Sequence, residues 1–353
     1  MQTNRTVQLA SLQYLRGGAA MLVVLYHALI QCNHVFLTPG EALPIIGRSG
    51  VDIFFVLSGF VMWVSTAGRI MTPGSFFKRR LVRIAPLYWA ATLAAAGVAL
   101  VKPQLLRSTL LEPAHLFASL FFIPWLNPAA VPSGNTERIV PLIVPGWTLN
   151  FEMLFYALFA IALVLAPRYR LMTITTLVIV TFLVAGALAP FGDIPDFYSS
   201  SIIFEFFFGV LIATIRSGIP RHRRSFFVCH LALAFLALLV CDMNAGPTPR
   251  VVVLGLPAAV IVFCASQMER ERPVGDNWLL KLAGDASYSI YLTHIFVMAG
   301  LRVALLNWGV THLPPIGIAA FLAAALALSA AIGALVYQWF ELPVMRLVRR
   351  ALR

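Results

Sequence analysis

The chain alternates long apolar runs with short polar segments. A helix needs about 20 mostly apolar residues to cross the hydrocarbon core of a bilayer. Runs of that kind lie near residues 12–31, 50–67, 84–101, 147–166, 171–190, 199–215, 226–242, 250–266, 286–306 and 316–338. The pattern predicts an all-α, polytopic membrane protein with about ten transmembrane helices.

A further apolar segment, residues 110–126, does not fit this pattern. It is short, and Glu112, Pro113, His115 and Pro124 interrupt it. If it crossed the membrane, every later basic block would change sides. We therefore expect a re-entrant or interfacial helix, which is tolerated at membrane depth only when it packs against protein.

Composition supports the membrane assignment. Of 353 residues, 60% are hydrophobic and only 11% are charged, which is too little polar surface to cover a soluble globule of this size. The formal net charge is +12, but the basic residues stand in short blocks between apolar runs, as in cytoplasmic loops, so nucleic acid is not expected as a partner. The blocks are Arg69, Lys78, Arg79, Arg80 and Arg83; Arg168 and Arg170; Arg216, Arg221, Arg223 and Arg224; Arg270, Arg272 and Lys281; and Arg346, Arg349, Arg350 and Arg353. They predict that both termini are cytoplasmic.

The organisation of the chain is simple. No internal repeat or soluble domain is apparent, so residues 1–353 are expected to form a single membrane domain, with an outer loop at about 127–145. The four cysteines form no CxxC pair and have no histidine at a metal-ligand spacing. We therefore expect neither a disulfide framework nor a metal site.

Ionisable residues inside membrane helices are costly and are candidates for function. Arg16 and His27 are eleven residues apart, which on a helix is about three turns plus 20°, so they share one face at heights that differ by roughly 16 Å. Arg16 then lies near the cytoplasmic rim and His27 past the midplane. By the same topology Glu152 belongs to a helix that enters the membrane from the outer side, at a depth that allows its side chain to contact His27. His294 lies near the middle, where a lone histidine is more often structural than catalytic.

The basic stretch FFKRRLVRIAPLYW forms a second candidate site. Arg79, Arg80 and Arg83 are spaced three and four residues apart and share one helical face. Arginine binds phosphates bidentately. The alternative is a basic cluster held by anionic lipid, which charge alone favours.

Six stretches together resemble a known family. In order they are YLRGGAAMLVVLYHA, GVDIFFVLSGFVMW, FFKRRLVRIAPLYW, PGWTLNFEMLFYALF, ASYSIYLTHI and WFELPVMRLVRR. Along nearly its whole length the chain resembles the acyltransferase 3 family of integral membrane acyltransferases. The wording is most similar to the exopolysaccharide O-acetyltransferases of rhizobia.

The resemblance implies a reaction and roles. Family members move an acyl group, usually acetyl from acetyl-CoA, onto a hydroxyl of a glycan or another acceptor at the bacterial inner membrane. It implies that Arg79, Arg80 and Arg83 hold the CoA phosphates, and that Arg16 and His27 position the donor and catalyse. Many members have two adjacent acids where Met153 follows Glu152 here, and many carry an added periplasmic domain that is not expected here.

A mechanism follows from these expectations. CoA binds the arginines and Arg16, its pantetheine arm reaches His27, and the imidazole, oriented by Glu152 or another acid, removes the proton of the acceptor hydroxyl. His294 is a second candidate, as a base or as an oxyanion donor. A covalent acyl-enzyme relay stays open. The expected partners are a carbohydrate acceptor, free or lipid-linked, and membrane lipids.

Two other classes remain at this point. A transporter or lipid-carrier flippase also buries His and Glu, although such proteins usually show internal repeats. A non-catalytic scaffold for polysaccharide assembly would tolerate the loss of Arg80 and His27 together.

Overall fold

The computed structural model describes residues 9–351, apart from 68, 70, 103–104, 106–109, 129–138, 221 and 245–247. Within this part of the chain the regular structure is helical, and an isolated β-bridge joins Leu126 to Ile139. Arg221, Arg353 and most of the expected outer loop lie outside the described residues.

The α-helices of the described residues follow one another in this order along the chain. They are α1 (Ala10–Val35), α2 (Gly50–Thr66), α3 (Pro73–Val101), α4 (Pro113–Leu120), α5 (Trp147–Ala162), α6 (Arg170–Leu188), α7 (Asp193–Tyr198), α8 (Ile203–Ile215), α9 (Arg224–Met243), α10 (Leu256–Glu271), α11 (Trp278–Asp285), α12 (Ser287–Asn307), α13 (Pro315–Val336) and α14 (Leu342–Ala351). One π-helical segment, Val251–Gly255, precedes α10, and another, Tyr337–Glu341, joins α13 to α14.

The predicted membrane architecture is confirmed. In the described part of the chain, nine helical segments are long and apolar enough to cross a membrane, and the shorter apolar helix α2 is the tenth. They correspond to the ten runs predicted from the sequence. The protein is therefore an all-α, polytopic membrane protein.

Helix α3 begins well before its apolar run. The Thr72 side chain caps it by accepting a hydrogen bond from the Ser75 N–H at 3.3 Å, and Pro73 occupies the first turn, where its missing N–H costs nothing. As a result Arg79, Arg80 and Arg83 lie on the same continuous helix as the apolar residues that follow them.

The extra apolar segment is helical only in α4. Eight residues give a length of about 12 Å, which is too short to cross a bilayer. Ser119 Oγ accepts a hydrogen bond from the Leu142 N–H at 2.9 Å, and His115 Nε2 lies 2.9 Å from the Val140 carbonyl oxygen. The helix is therefore tied to protein backbone, as the sequence predicts for a segment that does not span.

The contacts divide the chain into two compact units. The first unit comprises Met1–Ile70 and Phe204–Tyr288, and the second comprises Met71–Ile203 and Ser289–Arg353. In the first, α1 packs on α2, α10 and α11, and α9 packs on α10. In the second, α3 packs on α4, α5 and α14, and α5 packs on α6. That the two units form a single domain stays a prediction.

Helices α2 and α8 cross at two glycines of the first unit. A Cβ on Gly59 would overlap the Phe206 carbonyl group, and a Cβ on Gly209 would overlap the Val56 carbonyl group. Small residues allow helix backbones to approach this closely in membrane proteins.

Replacing Gly59 by alanine is expected to destabilise the protein by about 1–3 kcal/mol, because the added methyl group forces the two backbones apart. The measurement is unfolding in mixed detergent micelles. Gly186→Ala in α6 is the matched control, since no atom lies within 4 Å of its added Cβ. That variant should be neutral or gain up to about 1 kcal/mol from helix propensity. Equal stability of the two variants would contradict the close crossing.

Candidate functional site

His27 lies in the second half of α1 with its ring half-buried. Its Nδ1 atom is 2.9 Å from the Val23 carbonyl oxygen, one turn earlier on the same helix. A carbonyl oxygen only accepts hydrogen bonds, so Nδ1 carries the proton. In the neutral ring the lone pair is therefore on Nε2, which is the state that a general base requires.

Arg16 is positioned by Gln13, one turn before it on α1. Arg16 Nη1 donates to Gln13 Oε1 at 3.2 Å, and Gln13 Nε2 donates to Asp285 at the end of α11. Gly17 packs directly on Ala283 of α11. The buried amide of Gln13 thus joins Arg16 to a neighbouring helix. Sequence reasoning missed Gln13, although a polar residue one turn from Arg16 in an apolar run was a usable signal.

The three arginines of α3 have three different environments within the second unit. Arg79 is exposed. The Arg80 guanidinium lies over the Phe76 ring at 5.4 Å and over the Tyr156 ring at 5.8 Å, both distances taken to the ring centroid. Arg83 Nη1 forms an ion pair with Glu341 Oε1 at 2.6 Å. They share a helix, but only Arg79 is as exposed as a shared surface patch would require.

Glu152 on α5 is connected to Arg80 through Tyr156. The Tyr156 hydroxyl donates to Glu152 Oε1, and the same buried Tyr156 ring carries the Arg80 guanidinium. A candidate catalytic acid and a candidate phosphate-binding arginine therefore share one neighbour. Sequence reasoning missed Tyr156, which is four residues after Glu152 and so on the same helical face.

His294 is fully buried on α12. Its Nδ1 atom is 2.7 Å from the Tyr291 carbonyl oxygen, so Nδ1 again carries the proton and the neutral ring has its lone pair on Nε2. This tautomer suits a base. It serves as an oxyanion donor through Nε2 only when the ring is protonated.

The start of α5 is tied to α12 beside His294. The Tyr291 hydroxyl donates to the Pro145 carbonyl oxygen at 2.9 Å and lies 2.8 Å from Thr148 Oγ1. Thr148 Oγ1 also donates to Pro145 O at 3.0 Å. Two of the sequence stretches that carry the family resemblance, PGWTLNFE and ASYSIYLTH, therefore meet through hydroxyl groups.

Glu341 is an unpredicted member of the set. It is 2% exposed and ends the π-helical segment before α14. One carboxylate oxygen pairs with Arg83, and the other accepts a hydrogen bond from Ser289 Oγ at 2.5 Å. The signal was an acidic residue within the apolar stretch WFELP.

The predicted site residues divide between the units. Arg16 and His27 belong to the first unit, and Arg79, Arg80, Arg83, Glu152 and His294 belong to the second. Among the residues that the structure describes, no three His, Cys, Asp or Glu side chains converge in a way that could hold a metal ion.

Membrane-length apolar helices with histidine and glutamate inside them and arginines near their ends define an integral membrane enzyme or transporter. The comparison with protein families decides between these classes. The acyltransferase 3 model, described as "Acyltransferase domain", matches residues 9–334, and the chain belongs to this family. It is a membrane O-acyltransferase.

Three relatives show how far the similarity extends. The exopolysaccharide production protein ExoZ of Rhizobium meliloti (strain 1021) is 34% identical over 92% of this chain and 95% of its own length. The acyltransferase MdmB of Streptomyces mycarofaciens is 26% identical over 98% and 94%, respectively. The putative membrane-bound transacylase BcsY of Komagataeibacter xylinus is 27% identical over 79% and 70%. The predicted resemblance to the rhizobial proteins is confirmed. No solved structure matches the chain significantly.

Proposed function

We propose that the protein transfers an acetyl group from cytoplasmic acetyl-CoA to a hydroxyl of an exopolysaccharide or another surface carbohydrate, free or lipid-linked. The observation that carries this proposal is the 34% identity to an exopolysaccharide production protein along 92% of the chain. The relative's printed name supplies the acceptor class, and family membership supplies the reaction type.

His27 acts as the general base. Its Nε2 lone pair takes the proton from the acceptor hydroxyl as the hydroxyl oxygen attacks the thioester carbonyl carbon. The new carbon–oxygen bond forms, the carbon–sulfur bond breaks, and the CoA thiolate leaves with the electron pair. The imidazolium returns its proton to the thiolate, so the reaction is balanced without a further reactant. The Val23 carbonyl bond fixes the tautomer, which removes the need for Glu152 to orient this ring.

The other candidates have supporting roles. Arg79, Arg80 and Arg83 bind the CoA phosphates, and Arg16 positions the donor. Glu152 accepts a hydrogen bond from the Tyr156 hydroxyl, and the Arg80 guanidinium lies over the same Tyr156 ring. Binding of CoA phosphates to Arg80 is therefore linked to Glu152 through Tyr156. His294 is a second base rather than a neutral oxyanion donor, because of its Nδ1 bond to Tyr291.

The protein lies in the bacterial inner membrane with both termini in the cytoplasm. The described residues contain ten apolar segments, an even number, so the first and last of them have their outer ends on the same side of the membrane. Basic residues follow α2, α8 and α10, as expected for cytoplasmic ends, with Arg69, Arg216 and Arg272 as examples.

Two measurements test the proposal. Purified protein given acetyl-CoA and the host exopolysaccharide is expected to release free CoA, detected with a thiol reagent. Glycans from a deletion strain should lack acetyl groups by mass spectrometry, and wild-type protein should restore them.

The variant with both Arg80→Gln and His27→Ala is the informative comparison. It should reach the membrane in normal amount and fail to restore acetylation. A flippase would release no CoA from acetyl-CoA, and a scaffold would still support acetylation when both residues are changed. Either result would contradict the proposed function.

A further inference from the structure

We propose that Glu341 is a positioning residue for acyl-CoA, acting through Arg83. This inference rests on the proposed function, because it assumes that Arg83 binds a phosphate of the donor. It adds a residue from the last helical stretch, WFELP, to a site otherwise assigned to α3.

The contact between the two side chains is made through one nitrogen of the arginine. Arg83 Nη1 donates to Glu341 Oε1 at 2.6 Å and lies 3.4 Å from the Met345 sulfur atom. Within the described part of the chain, these are the hydrogen bonds that the guanidinium makes. The edge formed by Nε and Nη2 is left for another acceptor, and the Arg83 side chain is 26% exposed.

The remaining edge has the chemistry of a phosphate site. Two parallel N–H groups of a guanidinium match two oxygens of a phosphate. A long arginine side chain normally loses much rotamer freedom when it binds a ligand. Because Glu341 already holds Nη1, Arg83 is ordered before the donor arrives, and less affinity is lost in ordering it.

Glu341 is itself held from the opposite side. Ser289 Oγ donates to its second oxygen at 2.5 Å, and Ser289 lies on α12 five residues before His294. The carboxylate is 2% exposed, so the cost of burying its charge is offset by Arg83 and Ser289 together. Its position is therefore fixed by two helices, α3 and α12, rather than by solvent.

A simple alanine change at Arg83 does not test this arrangement. It removes the phosphate contact and at the same time leaves a buried carboxylate without its cation, which is destabilising by itself. The informative change is Glu341→Gln, because the amide keeps the shape and a hydrogen bond to Ser289 but loses the ionic contact with Arg83.

The test compares two donors in purified protein. With acetyl-CoA, Glu341→Gln is expected to raise KM about tenfold, the factor that corresponds to 1.4 kcal/mol, with kcat within about twofold of the wild type. With S-acetylpantetheine, which has the same thioester and no nucleotide phosphates, the variant and the wild type should have equal kcat/KM. Glu112 is an exposed acid outside the site, so Glu112→Gln is the matched control and should leave kcat and KM unchanged with both donors.

Arg83→Lys is the second variant and tests the premise that Arg83 binds the donor phosphates: an unchanged KM for acetyl-CoA would overturn the inference even if Glu341→Gln does not fold. Lysine keeps a cation for Glu341 but has no pair of N–H groups that can bind two phosphate oxygens. The Arg83→Lys variant should therefore show a raised KM for acetyl-CoA and no change with S-acetylpantetheine. If Glu341→Gln lowered kcat/KM equally with both donors, or lowered kcat at unchanged KM, the role of Glu341 would be overturned while the proposed function stayed intact. If wild-type protein releases neither CoA from acetyl-CoA nor pantetheine from S-acetylpantetheine, the proposed function fails and this inference fails with it.

Discussion

Replacing His27 by alanine is expected to lower turnover by about 10²- to 10⁴-fold, the usual contribution of a general base. The physical reason is the Nδ1 bond to the Val23 carbonyl, which places the lone pair of the neutral ring on Nε2. Without the imidazole, the acceptor hydroxyl must lose its proton to water. The measurement is CoA release under saturating acetyl-CoA and acceptor.

His230→Ala is the matched control for this change. His230 lies on α9, is exposed, and makes the same bond from Nδ1 to the carbonyl of the preceding turn, Phe226, at 2.8 Å. Both variants lose one histidine and one local hydrogen bond, so both should remain folded in detergent. Turnover should fall in the His27 variant only. Wild-type turnover in that variant would refute the assignment of the base.

The second large effect concerns stability. Replacing Arg250 by methionine is expected to destabilise the protein by about 3–5 kcal/mol, because it leaves the buried Asp52 carboxylate without its cation. Arg250 Nε and Nη2 donate to the two oxygens of Asp52 at 2.9 and 2.7 Å, and Asp52 is fully buried. Glu205, also fully buried, lies beside Asp52. The measurement is the free energy of unfolding in mixed micelles.

A neighbouring pair provides the comparison. Arg48→Met also removes a cation from a buried acid, Asp242, but this carboxylate keeps hydrogen bonds from Gly47 N at 2.6 Å and Ser49 Oγ at 2.9 Å. Its loss of stability should be clearly smaller. Adding Asp52→Leu to Arg250→Met should recover most of the stability, since no unpaired charge remains at that pair. If the double variant lost as much stability as the two single variants together, the explanation would be contradicted.

The sequence predicted the helices well because bilayer thickness sets their length. The ten apolar runs and the short segment around α4 needed only length, hydropathy and interrupting prolines. Helix α3 was predicted too short, since its first turns are basic and depend on the cap at Thr72. The predicted run 199–215 began too early, because it included Ser199, Ser200 and Ser201, which lie in the break between α7 and α8.

The site was predictable only in its local parts. The Nδ1 bond of His27 is made within one helical turn, so helical spacing contains the information. The partners of Asp52 and Arg83 are 198 and 258 residues away, and neither spacing nor charge indicates which acid meets which arginine. The roles assigned to the seven site residues stay predictions until the variants described above are measured.

The π-helical turn at Tyr337–Glu341 determines how α14 is rotated about its own axis. A π-turn accommodates one residue more than an α-turn, and one residue corresponds to about 100° of rotation around the helix axis. Shortening this turn by one residue would swing Glu341 away from Arg83 and turn the basic side of α14, with Arg346 and Arg349, by the same angle. The extra residue of the π-turn therefore sets the direction of both the Glu341 carboxylate and the basic face of α14.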